Sequence, residues 1–280
     1  MTTTLEPFEI VDEHESTRVI RGVVERPVDR DAESLPWVIA LHGFKGFKDW
    51  GFFPLLSRGL AESGMVCVRF NASGCGVGED GVDFSDLASF EKDTYGRQLE
   101  DIERVRTLAN SGGLGALDRG RCGLLGHSRG GGVSILHAAD HPCQALVLWA
   151  AIDRCIQFPE SVVEQWRQDG YLDIENARTG QTMRLGGAAL AEIDQNAARF
   201  DIVEAAARVG CPSLVVHGTA DESVPFASAE RIHAALPDSH LLAMEDADHT
   251  FGAQHPLEGM NPALARVLSR TLEHLADNLL

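Results

Sequence analysis

Short apolar runs punctuate the chain: "TRVIRGVV", "PWVIALHG", "MVCVRFN", "CGLLGHS", "ALVLWAA", "PSLVVHG" and "HLLAMED". They are rich in β-branched and aliphatic residues, and the central ones are apolar at successive positions rather than alternate ones. A strand with one wet face alternates, so continuous runs mark strands covered on both faces. Between most of them lie longer stretches with helical spacing, as with Tyr95, Leu99, Ile102 and Val105 in "TYGRQLEDIERVRTLAN". Strands alternating with helices predict an α/β fold with a mostly parallel central sheet. The first two strand candidates, "FEIVDEHES" and "TRVIRGVVERP", leave no room for a crossover helix and are expected to pair as an antiparallel hairpin at the N-terminal edge.

One interval breaks the rhythm. From about Cys155 to Gly210 the chain carries the amphipathic stretch "ESVVEQWRQDG", then "YLDIENARTGQTMRL", then "GGAALAEIDQN" and "FDIVEAAARVG". The middle piece reads as a hairpin turning at Arg178-Thr179-Gly180. Ordinary connections run to about 2–6 residues, so residues 155–210 are expected to form a small lid over the carboxyl ends of the strands. With no internal repeat or low-complexity linker, residues 1–280 read as one domain.

Composition narrows the partners. The 280 residues are 44% apolar, and no apolar run approaches the ~18 residues of a membrane span. The first residues lack the basic start and apolar stretch of a secretory signal, which points to the cytoplasm. A net charge of −18 opposes nucleic acid and anionic membranes. The scattered cysteines, Cys67, Cys75, Cys122, Cys143, Cys155 and Cys211, show neither zinc-site spacing nor a disulfide framework, so free thiols and no metal are expected.

The chemistry begins at "LLGHSRGGG". "GHSRG", Gly126 to Gly130, fits G-x-S-x-G, the turn that holds a serine in strained geometry at a strand tip with a helix beginning beneath it. Glycines on either side allow strand and helix to approach closely. A serine hydroxyl is a poor nucleophile without a base oriented by a third group. "LVVHGTADESVP" and "LLAMEDADHTF" each end an apolar strand, with Asp221 and His249 just beyond the tips. Ser128, Asp221 and His249 thus follow the order nucleophile, acid, base. Asp221 is preferred to Glu222 and to Asp153, which follows "ALVLWAA". Asp246 and Asp248 read as turn residues, and His42 and His127 as structural, with His127 directed away from the serine. His255 reads as a cap at the base of the site, and Trp166 and Tyr171 as the lid's own core or a pocket wall.

Through "LHGFKG", "GHSRGG", "HGTADESVP" and "DADHTF" the chain resembles an α/β-hydrolase, in particular the dienelactone hydrolase-like and cinnamoyl or feruloyl esterase-like enzymes. The resemblance runs from about Pro36 to the C-terminus. It implies an oxyanion hole built from the backbone N–H groups of Phe44 and Arg129, and an insertion that contacts substrate. The expected activity is cofactor-independent serine hydrolysis of a small carboxylic ester, with peptidase and acyl thioesterase chemistry as alternatives on the same triad. A small-ligand-binding module that has lost its chemistry is the remaining rival. Acyl preference and oligomeric state are not legible, and a homodimer is compatible with the sequence.

Overall fold

The computed structural model describes residues 2–30, 34–176 and 179–280. In chain order the strands are β1 (Thr3–Val11), β2 (Val19–Pro27), β3 (Leu35–Leu41), β4 (Val66–Asn71), β5 (Leu117–His127), β6 (Ala145–Trp149), β7 (Tyr171–Asn176), β8 (Gln181–Gly186), β9 (Ser213–Gly218) and β10 (Ser239–Met244). The helices are α1 (Phe53–Glu62), α2 (Leu87–Glu91), α3 (Tyr95–Asn110), α4 (Arg129–Asp140), α5 (Glu160–Asp169), α6 (Gly187–Gln195), α7 (Ile202–Ala206), α8 (Phe226–Ala235) and α9 (Pro262–Leu279).

Eight strands form one sheet in the order β1-β2-β4-β3-β5-β6-β9-β10. From β4 to β10 the neighbours are parallel, whereas β2 runs antiparallel to both β1 and β4. The expected parallel sheet with an antiparallel N-terminal edge is therefore observed. Every residue of β3, β4, β6 and β9 is buried, which is the physical reason their sequences do not alternate. The two faces still separate by the strand's period of two: Trp37, Ile39 and Leu41 of β3 pack with α3 and α4 residues such as Ile102 and Ile135, while Val38 and Ala40 pack with Leu56 of α1 and Val267 of α9.

The chain leaves β3 for β4 on one side and returns to β5 on the other, so strand order reverses at the β3–β5 pair. A crevice opens outside the carboxyl ends of strands at such a reversal, and open α/β sheets bind ligands there. Residues 155–210 fall between β6 and β9 and contain α5, α6, α7 and the antiparallel pair β7–β8. Of the expected hairpin turn, Arg178 lies outside the described residues. Thr179 and Gly180 both donate their N–H to the Asn176 carbonyl, at 3.1 and 2.8 Å. A third apolar cluster, including Phe47, Phe90, Trp166, Met183 and Leu185, joins this segment to the loops after β3 and β4.

Candidate active site

Ser128 sits at the junction of β5 and α4 with φ 57° and ψ −120°, a region sparsely occupied by residues with a side chain. Such strain costs about 1–3 kcal/mol and persists only where the surroundings over-determine it. Here they do: Ser128 N–H donates to the Trp149 carbonyl at 2.8 Å, and the Ser128 carbonyl accepts from Gly131, Gly132 and Ile152 at 3.0, 3.2 and 3.2 Å. The glycines are sterically required. A Cβ on Gly126 would stand 2.2 Å from the Gly130 carbonyl oxygen, and one on Gly130 would stand 2.5 Å from that of His42.

Asp221 follows β9 and His249 follows β10. His249 Nδ1 lies 2.7 Å from Asp221 Oδ2. Burial alone would push the Asp221 carboxyl up, but hydrogen bonds from His217 and His249 outweigh it and hold the group below the usual carboxylate range. The other oxygen, Oδ1, accepts from the Ser223 and Val224 N–H groups at 2.8 and 2.9 Å. His217 Nε2, 2.9 Å from the Val224 carbonyl and 3.2 Å from Asp221 Oδ2, must carry its proton, since a carbonyl only accepts. Asp221 thus presents an ionised, fully bonded carboxylate to the imidazole. Asp153, the competing acid, is bound instead by Ser228 Oγ at 2.9 Å and Arg231 Nε at 2.6 Å.

His127 corrects the expectation that it points away from the serine. Its ring lies 4.8 Å from that of His249, and Nε2 donates to the His249 carbonyl at 3.0 Å, holding the His249 backbone in place. Burial, reinforced by the neighbouring His249, pushes His127 down to about 3, so it is a neutral brace. His42 does brace the loop after β3: Nδ1 is 2.9 Å from the Gly43 carbonyl, and Nε2 accepts from Ala72 N–H at 3.2 Å. Gly43 lies against the serine, since a Cβ there would be 2.9 Å from Ser128 Cβ. Among the described residues, neither the Phe44 nor the Arg129 N–H has a hydrogen-bond acceptor. His255 Nδ1 accepts from Gly51 N–H at 3.1 Å, away from Ser128. Asp248 is a turn residue as expected, its Oδ1 accepting from Thr250 and Gly252 N–H.

Ser128, His249, Phe44 and Lys45 front two adjoining cavities. The smaller, of about 220 Å³, is lined also by Trp50, His127 and Thr250. The larger, of about 310 Å³, is lined also by Arg129 and by Phe158, Trp166, Ile174, Leu185 and Ile193 of the segment between β6 and β9. Trp166 is therefore a wall of the larger cavity. Tyr171 is not: it is 37% exposed and stacks on Arg184. His217 was missed in the sequence, although its place in "VVHGTAD", four residues before Asp221, was a usable signal.

Away from this site, ligand-type atoms of Glu103, His137 and His141 lie within 4.8 Å of one another. The contact of His137 Nε2 with Glu103 is 2.5 Å, and Arg106 Nε is 3.8 Å from the same carboxylate oxygen. Coordination through Nε2 would move the His137 proton to Nδ1, which is buried without a partner. Burial pushes His137 down to about 4, so the imidazole is neutral and the cluster is a hydrogen-bonded tie between α3 and α4, with His137 Nε2 donating to Glu103.

Similarity to known proteins agrees with this geometry. The chain is 28% identical over 182 residues to RutD of Escherichia coli O6:H1, a protein named as a proposed carbamate hydrolase; the match takes in 55% of this chain and 66% of RutD, just under two thirds of that relative. Est1E from Butyrivibrio proteoclasticus superposes with a TM-score of 0.68 at 19% identity, over 96% of this chain and 99% of its own; Est1E has also been solved with ferulic acid bound. Dienelactone hydrolase from Anabaena variabilis superposes with a TM-score of 0.64 at 16% identity, over 99% of both chains. The model of the alpha/beta hydrolase family matches residues 38–263, from β3 into the start of α9. The chain belongs to the alpha/beta hydrolase family.

Proposed function

We propose that the protein is a serine hydrolase of carboxylic esters. The observation that carries the reading is the pairing of His249 with buried Asp221, 2.7 Å apart, opening on the cavities fronted by a strained Ser128. Ionised Asp221 favours the His249 tautomer with its proton on Nδ1, leaving the Nε2 lone pair to accept the serine proton. The Ser128 oxygen attacks the ester carbonyl, and the tetrahedral oxyanion is held by the unpaired N–H groups of Phe44 and Arg129. His249 then protonates the departing alkoxide, and water, activated by the same imidazole, releases the acid from the acyl-enzyme. No direct hydrogen bond joins Ser128 to His249 in the free protein, a looseness common before substrate binds.

The acyl group is assigned to the larger cavity and the leaving group to the smaller. Arg129, which follows the nucleophile, lines only the larger; Thr250, which follows the proton donor, lines only the smaller. On this reading the segment 155–210 is a lid that shapes the acyl pocket and takes no chemical step. A fluorophosphonate probe tests the reading: it is expected to label the wild type and not Ser128→Ala, and labelling that persists in the variant refutes the nucleophile. A panel of 4-nitrophenyl esters, acyl thioesters, aminoacyl anilides and carbamates then ranks the leaving groups, with esters expected first.

A further inference from the structure

Two cysteines meet away from the active site. Cys143 stands just before β6 and Cys211 just before β9, both as free thiols, and their sulfurs are 3.5 Å apart. β6 and β9 are parallel neighbours in the sheet, with Leu146 opposite Ser213, so the pair bridges their amino-terminal ends. Asp221 lies beyond the other end of β9, about 20 Å away along a strand of six residues at about 3.3 Å each. Pro142 and Gln144 on either side of Cys143 are exposed, as is Gly210 beside Cys211. The two cysteines themselves keep 8 and 5% exposure, where Cys67 keeps none. They therefore lie one residue beneath the surface, within reach of an oxidant as small as hydrogen peroxide.

The two thiols are not equivalent. A hydrogen bond from Cys143 holds the Cys211 thiol below its ordinary range in spite of burial, while the same contact, reinforced by burial, pushes Cys143 up. The thiolate is the form that reacts with peroxide, and a second thiol in contact with it can capture the product before further oxidation. We propose that Cys143 and Cys211 form a peroxide-oxidised pair that closes to a reversible disulfide and clamps β6 to β9. The Cys211 sulfur, as thiolate, attacks one oxygen of hydrogen peroxide: an S–O bond forms, the O–O bond breaks, and the hydroxide that leaves is protonated to water. The Cys143 sulfur then attacks the sulfenic sulfur of Cys211: an S–S bond forms, the S–O bond breaks, and the departing hydroxide takes the Cys143 proton. In sum, two thiols lose two electrons and one peroxide becomes two waters. The sulfurs have about 1.5 Å to close, and both residues precede the first paired positions of their strands. The cross-link joins residues 68 apart and encloses β6 and the whole segment 155–210. It closes a long loop in the unfolded chain, so the oxidised protein gains thermal stability.

Peptide mapping reads the pairing directly. The full-length protein is treated with hydrogen peroxide, denatured in N-ethylmaleimide and digested with trypsin; cleavage after Arg129, Arg154, Arg208 and Arg231 puts Cys143 alone in peptide 130–154 and Cys211 alone in peptide 209–231. The two peptides are expected as one linked species that dithiothreitol separates. The Tm of the oxidised protein is expected to exceed that of the reduced protein by roughly 5–10 °C. In Cys143→Ser the sulfenic acid has no resolving thiol, and dimedone is expected to label peptide 209–231; in Cys211→Ser it leaves peptide 130–154 unlabelled. Maleimide on both peptides after peroxide, a disulfide from either peptide to another cysteine, or a Tm unchanged by cross-linking overturns the proposal. Dimedone on peptide 130–154 in Cys211→Ser does the same. If a serine variant fails to fold, the wild-type cross-link and its Tm decide. These measurements read thiols and heat, so they stand or fall independently of the esterase reading.

Discussion

Asp221→Asn tests the site at the point where its hydrogen bonding is most fully determined. The carboxylate accepts from four donors: Ser223 and Val224 N–H on Oδ1, and His249 and His217 on Oδ2. An amide has one accepting edge. With its oxygen towards the two backbone N–H groups, its NH₂ faces His217 Nε2, whose proton is committed by the Val224 carbonyl at 2.9 Å, and a donor meets a donor. His249 can meet that NH₂ only through an Nδ1 lone pair, which shifts its own proton to Nε2, the atom that must accept from Ser128. The opposite flip sets NH₂ against two backbone N–H groups and is worse. The expected loss in kcat is on the order of 10³ to 10⁴, equivalent to about 4–5.5 kcal/mol of barrier at 1.36 kcal/mol per decade. Unpaired donors should also lower stability by about 1–3 kcal/mol each, so kcat is to be measured on acetyl and longer 4-nitrophenyl esters well below the variant's Tm. Activity within tenfold of wild type in folded Asp221→Asn, with loss in Asp153→Asn, would refute the assignment of the acid.

Three further outcomes follow from the same geometry. Ser128→Ala and His249→Ala should each lower kcat by several orders of magnitude and the double variant little more, because nucleophile and base act as a unit; multiplicative losses in steady-state assays would separate them. His42 and His127 are buried and pushed down to about 4 and 3, so below pH 6.5 the unfolded chain gains protons that the folded one refuses, and stability present above that pH is lost as pH falls towards those values. Between pH 6.5 and 4.5 the two together cost on the order of 4 kcal/mol, a Tm drop of roughly 10 °C by scanning fluorimetry; His127→Gln should flatten the slope, and a Tm constant over that range contradicts the burial argument. Ile174→Trp, which adds bulk to the larger cavity, should cut kcat/KM for heptanoyl esters at least tenfold while leaving acetyl esters nearly unchanged, and an unchanged ratio places the acyl group elsewhere.

Much of the architecture was legible because one physical demand, burial on both faces, writes itself into strands as unbroken apolar runs. β3, β6 and β9 announce themselves in "PWVIAL", "ALVLW" and "SLVVHG". The antiparallel edge was legible from the lack of chain for a crossover. The sites of Ser128, Asp221 and His249 were legible for a related reason, since each lies at the end of such a run and parallel strands bring their carboxyl ends to one edge. Strand order was not legible: nothing local in β4 states that it lies beside β2 and β3 rather than β5. His127 was misjudged because alternation along a strand governs residues within it, whereas β5 ends there. The chain turns into Ser128 at φ 57°, and the ring comes to rest under the carbonyl of His249.

Pocket chemistry was the least legible part, and Arg129 shows why. As the residue after Ser128 it is one more position in a turn whose backbone matters, and no periodicity or spacing marks its side chain. What that side chain can do depends on Asp93 and Tyr95, which reach it from the start of α3, and on Phe44, from the loop after β3. It depends also on Trp166, which a segment between β6 and β9 brings to the same cavity. These come from three stretches of chain distant from Arg129 itself, and only folding sets their distances. The backbone that positions Ser128 is constrained by contacts near it in sequence, so a short motif suffices to find it. The groups that choose among substrates are constrained only through space, so the same motif is compatible with many acyl preferences. Changing preference in this protein should therefore succeed through Trp166 and Ile174, which border the larger cavity, without touching the turn that holds the serine.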